Sequence, residues 1–164
     1  MYFNKITTCL WFDGKAEEAA NHYVSIFKNS RVSSINRYTG AGQEVHGQPA
    51  GRVLTAEFEL NGHSFVALNG GPHFKFNEAV SFQVMCADQE EVDYYWEKLG
   101  EEGDESKRQC GWIADKYGLS WQVVPIILPK LLGGPDKEKS DRAMTEMMKM
   151  KKLDIKMLQE AYDG

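Results

Sequence analysis

Two stretches of this chain, Thr8 to Tyr23 and Ser81 to Trp96, follow one pattern 73 residues apart: a strand, a Glu-Glu pair, then a helix bearing an aromatic residue. On that offset Thr8 meets Ser81, Glu17-Glu18 meets Glu90-Glu91, Tyr23 meets Trp96 and Ile26 meets Leu99. The pattern therefore assigns equivalent residues to equivalent faces. Two copies of one supersecondary unit explain it better than a solenoid, which needs about three or more short repeats. A unit of roughly 60 residues buries too little surface to be comfortable alone. The 164 residues are thus expected to form a single domain of two halves folded against each other, with module one over about residues 4–70, module two over about 78–126 and a helical tail over about 135–162.

Local patterning fills in the modules. Lys5 to Phe12 is rich in Thr, Ile and aromatics and reads as a strand. Asp13-Gly14 breaks it, and Ala16 to Phe27 carries Ala19, Ala20, Tyr23, Ile26 and Phe27 at helical spacing. Ser30 to Tyr38 and Arg52 to Leu60 are further strands, separated by a Gly-rich polar loop from Thr39 to Gly51. Asn61-Gly62 is a hairpin turn into a fourth strand, His63 to Asn69. In the second module Val80 to Cys86 is a strand and Asp88 to Leu99 a helix, Asp88 and Glu91 forming a capping box. Ser106 to Ala114 and Ser120 to Pro125 supply its remaining strands. Pro135 stands near the first position of a helix reaching about Lys151, and a last helix covers about Asp154 to Tyr162. The fold class is α+β, with a βαβββ order in each module.

Composition removes several functions. Apolar residues at 42% and charged residues at 26% are those of a globular protein. A net charge of -5 opposes nucleic-acid binding, and Lys149-Met150-Lys151-Lys152 reads as a solvated helix face. No stretch is long enough to cross a bilayer, and Met1 to Lys5 lacks the apolar core of a signal peptide, so a cytoplasmic protein is expected. Cys9, Cys86 and Cys110 are odd in number and lack metal-ligand spacing, which makes them reduced thiols, the first two as core filler and the third as a small strand residue. His22, His46, His63 and His73 form no pair at a ligand spacing. Gly40-Ala41-Gly42 is a weak echo of a nucleotide loop, since further Gly and Pro follow where a phosphate-binding helix should begin.

The segments Ile6 to Gly14, Phe74 to Glu78, Asp88 to Asp93, Cys110-Gly111-Trp112 and Asp115 to Gln122 resemble the PhnB-like branch of the vicinal oxygen chelate superfamily. That superfamily includes glyoxalase I, bleomycin-resistance proteins and extradiol dioxygenases. The resemblance implies paired βαβββ modules forming a curved, mostly antiparallel sheet around a pocket, C-terminal helices and a homodimer. Metal-using members direct four side chains into that pocket, from the first and last strands of each module. By the motif these positions fall near Thr8, Asn69 (with Ala67 the alternative), Ser81 and Gln122, all neutral here. Hydroxyls and amides hold zinc, nickel or iron weakly, because strong sites need imidazole or carboxylate. No metal or other cofactor is therefore expected, a divalent cation being the lesser alternative.

Pocket candidates are Thr8, Asn69, Ser81, Gln83 and Gln122 as polar partners, Trp11, Trp112 and Trp121 as walls, and His63 on the face of Asn69. Tyr38, Phe58 and Phe65 serve the pocket or the core, and Met144, Met147 and Met148 form a docking stripe on the tail. The resulting expectation is a small-molecule binding protein, with enzymatic activity left open. The alternative is a metal-dependent isomerase, lyase or dioxygenase. The branch often carries a 3-demethylubiquinone-9 3-methyltransferase label, but the α/β order and glycine-rich loop of the usual S-adenosylmethionine enzymes are missing, which puts methyl transfer last.

Overall fold

The structure, a computed structural model, describes residues 6–164; the expected start of the first strand at Lys5 lies outside them. The chain divides into two compact units, one reaching to Lys75 and one running from Phe76 to Gly164.

The first unit runs β1 (Thr8–Phe12), α1 (Ala16–Ile26), β2 (Arg31–Arg37), α2 (Gln43–His46), β3 (Val53–Leu60) and β4 (His63–Asn69). Its sheet has the order β1-β4-β3-β2, with β1 parallel to β4 and the other pairs antiparallel. Ala16, Ala19, Ala20, Tyr23 and Ile26 make one buried stripe of α1, and Glu17 and Glu18 favour its positive N-terminal end. That stripe meets the sheet through stacked rings, Tyr23 on Phe58 at 6.1 Å and Phe58 on Phe65 at 5.1 Å. Asn61 and Gly62 are both left-handed, with φ of 45° and 86°, as a tight type I′ hairpin requires.

The second unit runs β5 (Ser81–Cys86), α3 (Gln89–Gly100), a 3-10 turn (Glu105–Lys107), β6 (Trp112–Ala114) and β7 (Ser120–Pro125), followed by α4 (Leu128–Leu132), α5 (Lys137–Met147) and α6 (Ile155–Asp163). Its sheet order is β5-β7-β6, with β5 parallel to β7, as β1 is to β4. Asp88 caps the helix as expected, accepting from the Glu91 N–H at 2.9 Å, and Glu91 reaches back one residue past the cap to accept from the Ala87 N–H at 2.8 Å, a variant of the expected capping box.

Strand content here is lower than a full βαβββ unit. Asp104 accepts from both the N–H and the hydroxyl of Ser106 and so closes a 3-10 turn where strand was expected. Cys110 and Gly111 then take φ of 49° and 84°, a second type I′ turn with Gln109 and Trp112 paired across it.

The tail also differs from expectation. Asp136, not a residue before Pro135, caps α5 by accepting from the Lys139 N–H, so Pro135 stands outside the helix. The helix ends at Met147 as its last turn tightens, the Lys149 and Met150 N–H groups donating to the Glu146 and Met147 carbonyls, and the Met150 and Lys151 carbonyls then accept from the N–H groups of Cys110 and Gly111 at 2.9 and 2.8 Å. Leu128, Leu131, Ala143, Leu153 and Leu158 gather with Val124 of β7 into the core of this region. No helix among the described residues is long and apolar enough to cross a membrane.

Candidate functional site

Which strand face each residue takes is decided by one residue of loop. β1 ends at Phe12, three residues before α1, whereas β5 ends at Cys86, two residues before α3. Ala16 and Gln89, the first helical residues, are 73 apart, but the buried strand ends Phe12 and Cys86 are 74 apart. Period-two alternation turns that single position into an exchange of faces. Thr8 pairs with Phe65, and Phe12 with Asn69, on the face that α1 covers. Ser81 pairs with Ser120 and Gln83 with Gln122 on the face away from α3. The 73-residue offset therefore holds through the helices and fails in the strands; the counterpart of Ser81 is Thr7, and that of Gln122 is Val66.

Among the sequence-derived candidates of the first unit, Asn69 is a structural clamp. It is 3% exposed, accepts from the Ala16 N–H at 2.9 Å and donates to the Val53 carbonyl at 3.0 Å, tying the start of α1 to the sheet. Ala67 is buried on the same face. Thr8 hydroxyl and His63 Nε2 lie 3.2 Å apart, exposed, with the imidazole edge-on to Phe65. The Tyr38 hydroxyl donates to the Asn69 carbonyl at 2.7 Å, and Phe58 and Phe65 belong to the ring stack in the core. Trp11 donates its indole N–H to the Gly71 carbonyl at 2.8 Å and meets Phe74 edge-on at 4.9 Å. Gly40-Ala41-Gly42 leads only into the four-residue α2, where Gly42 is the left-handed cap.

The second unit contains a cavity of about 790 Å³. Its floor is the β5-β7-β6 face opposite α3, presenting Gln83, Met85, Trp112, Gln122 and Val124. Leu128, Pro129 and Leu132 of the α4 segment and Met147 and Met148 at the end of α5 supply an apolar wall. The rim is polar, with Glu78, Ser106, Lys107 and Gln109 beside Cys110. Gln83, Gln122 and Trp112 thus meet here as pocket residues. Ser81 supports them: Gln122 Nε2 donates to its hydroxyl at 2.8 Å, and Gln83 Nε2 donates to Gln122 Oε1 at 3.3 Å.

Trp121 faces the other way. Asp115, 2% exposed, accepts from the N–H groups of Tyr117 and Leu119 and from the Trp121 indole N–H at 2.8 Å. The Asp, Tyr, Gly and Trp of the Asp115 to Gln122 motif therefore build a turn that fixes the strand, and its last residue, Gln122, meets the cavity.

Charge in this site is neutralised internally. The Lys107 ammonium donates to Glu78, and that hydrogen bond, first among the causes, holds the Glu78 carboxyl below its ordinary range and Lys107 above its own. At neutral pH neither exchanges a proton readily. Cys86, on the α3 face, has its thiol pushed up to about 12 by burial, which suits an inert core residue. Among the described residues no three His, Cys, Asp or Glu side chains gather as metal ligands. Ser81, Gln83 and Gln122 offer only a hydroxyl and amides, which do not fit zinc, nickel or iron.

Sequence reasoning missed the contribution of α4 and the methionines at the end of α5. Their signal is the Leu128 to Leu132 run and the methionine stripe; Met147 and Met148 line the cavity, Met148 at an exposed position, and Met144 stands outside it.

Residues 4–124 match the sequence model of a family described as 3-demethylubiquinone-9 3-methyltransferase. No curated protein matches the chain. The PhnB protein from Bacillus cereus is 39% identical with a TM-score of 0.63, the alignment covering 74% of this chain and 99% of that one. Protein PA1353 from Pseudomonas aeruginosa, 16% identical with a TM-score of 0.52 over 75% of this chain and 98% of its own, shares the fold. The α4 to α6 tail lies beyond the residues that the family match covers.

Proposed function

We propose that this chain, which belongs to the family described as 3-demethylubiquinone-9 3-methyltransferase, is a small-molecule binding protein of the glyoxalase and bleomycin-resistance type. Its ligand is compact, uncharged and largely apolar, and is held in the cavity of the second unit without a catalytic transition metal. One observation carries this reading: the Gln83, Gln122 and Ser81 network occupies the floor where a chelating enzyme needs ionisable donors. Amides orient a carbonyl or hydroxyl group well and concentrate a metal ion poorly. Trp112 and Val124 supply flat apolar contact beside them. Methyl transfer gains no support from the Gly40 to Gly42 loop, whose helix is a single turn. The family resemblance adds a homodimer to the proposal.

The test is thermal unfolding with a panel of uncharged aromatic and alicyclic compounds, with and without chelator. A true ligand at about 100 times its Kd stabilises by about 2.7 kcal/mol, unchanged by chelator, and Gln122→Leu removes the shift. If only zinc, nickel or iron stabilises the protein, or the purified protein carries about one equivalent of such a metal, the chelating-enzyme reading replaces this one. Stabilisation by S-adenosylmethionine alone would restore the methyltransferase reading.

A further inference from the structure

Cys110, Met147 and Met148 line one side of the cavity, and Met85 lies on its floor. The organic-ligand reading uses the methionines only as apolar wall and leaves the thiol without a role. Cys110 occupies the first central position of the Gln109 to Trp112 turn in a left-handed conformation, φ 49°, that residues with a Cβ seldom adopt. The turn is fixed to the chain beyond α5 by the Cys110 and Gly111 N–H groups, which donate to the carbonyls of Met150 and Lys151. The thiol is thereby delivered to the end of α5, where Sγ lies 3.5 Å from the Met147 carbonyl oxygen and 3.9 Å from Met148 Sδ.

That second distance has a coordination meaning. With metal–sulfur bonds of about 2.3 Å, as in zinc thiolates, trigonal ligands stand about 4 Å apart. A thiolate with thioethers is a soft donor set, which selects Cu(I) over zinc, magnesium or calcium. Methionine is unbranched and adaptable, so a third sulfur can close on a bound ion without repacking the sheet.

We infer that this sulfur wall is a Cu(I) site, formed by the Cys110 thiolate, the Met148 thioether and a third thioether from Met147 or Met85. Binding releases the thiol proton to solvent and changes no oxidation state. Cys110 was expected to be a small strand residue; the structure places it in a turn that sets its sulfur beside the Met148 thioether and the Met147 carbonyl. The site shares the methionines of the cavity wall with the proposed organic ligand, but its test needs no small molecule.

The experiment is an anaerobic titration of the full chain with Cu(I) against a chromogenic Cu(I) chelator. The wild type withdraws about one equivalent. Cys110→Ser and Met148→Leu each weaken retention by at least about tenfold, one of Met147→Leu and Met85→Leu does the same, and Cys9→Ser changes nothing. Met148→Leu conserves volume, so the test survives if Cys110→Ser disturbs the turn. X-ray absorption of the loaded protein shows a sulfur-only shell. Failure to compete with the chelator, retention indifferent to Cys110 and Met148, loss in Cys9→Ser, displacement by equal Zn(II), or a nitrogen and oxygen shell each overturns the assignment.

Discussion

The two units begin from the same strand-helix plan and put their polar side chains to opposite uses. In the first, the amide at the end of the last strand, Asn69, is spent on holding α1 to the sheet. In the second, the last-strand amide Gln122 faces the cavity, and a buried carboxylate, Asp115, does the fastening one turn earlier. The difference grows from the loop between first strand and helix, three residues in one unit and two in the other. A single residue there leaves the helices in phase and reverses the strands. Repetition of sequence is therefore a safer guide to what packs in the core than to what lines a site.

The largest consequence concerns Asp115. Asp115→Ala leaves the Tyr117, Leu119 and Trp121 donors without their carboxylate in a buried setting, and is expected to cost about 3–5 kcal/mol in urea unfolding. A loss below about 1 kcal/mol would mean that the motif does not fasten the strand. Next come the matched aromatics. Tyr23 is fully buried and Trp96 8% exposed at corresponding helix positions, so Tyr23→Ala and Trp96→Ala should each cost about 3–5 kcal/mol. Equal losses support one packing role in both helices; a large difference would confine the equivalence to sequence.

Much of this was readable before any coordinates. The helices announced themselves by spacing, as with Tyr23, Ile26, Trp96 and Leu99, because burial of one stripe demands a 3.6-residue period. The Asn61-Gly62 hairpin and the Asp88 cap followed from local chemistry that needs no distant partner. Strand faces were less legible, since Thr8 and Thr7 are the same residue type and only the loop count separates them. Of the candidate site, Gln83, Gln122 and Trp112 were named and do meet at the cavity, whereas Asn69 and Trp121 turned inward. The tail's share showed only as the apolar Leu128 to Leu132 run and the methionine stripe, because the surface such residues cover is set by tertiary packing that no periodicity encodes; Leu128 and Met148 line the cavity.

The contrast between fastening and lining amides gives a smaller effect on stability that falls on the first unit and not on the second. Asn69→Ala abandons two buried backbone groups, the Ala16 N–H and the Val53 carbonyl, and should cost about 1–3 kcal/mol. Gln122→Ala, at a partly exposed position, should stay within about 0.5 kcal/mol of wild type while losing ligand-induced stabilisation. Equal destabilisation would assign Gln122 to the scaffold as well.

The smallest effect lies at the cavity rim, in the response to pH. Glu78 is held below its ordinary range by the Lys107 hydrogen bond, so its share of stability is present above the unfolded carboxylate value and is lost as pH falls through the lowered folded one. Lys107 is held above its ordinary range, so its share is present below the unfolded lysine value and is lost as pH rises through the raised folded one. The Tm difference between wild type and Lys107→Met should therefore be level through neutral pH, shrink at both extremes and fade in high salt, because both groups face solvent. In the first unit Arg31 and Glu59 approach only to 3.6 Å and Arg37 and Glu17 to 4.0 Å. Arg31→Met should accordingly change the Tm at neutral pH by less than Lys107→Met does, and an equal or larger change would show that rim charge is not what separates the two units.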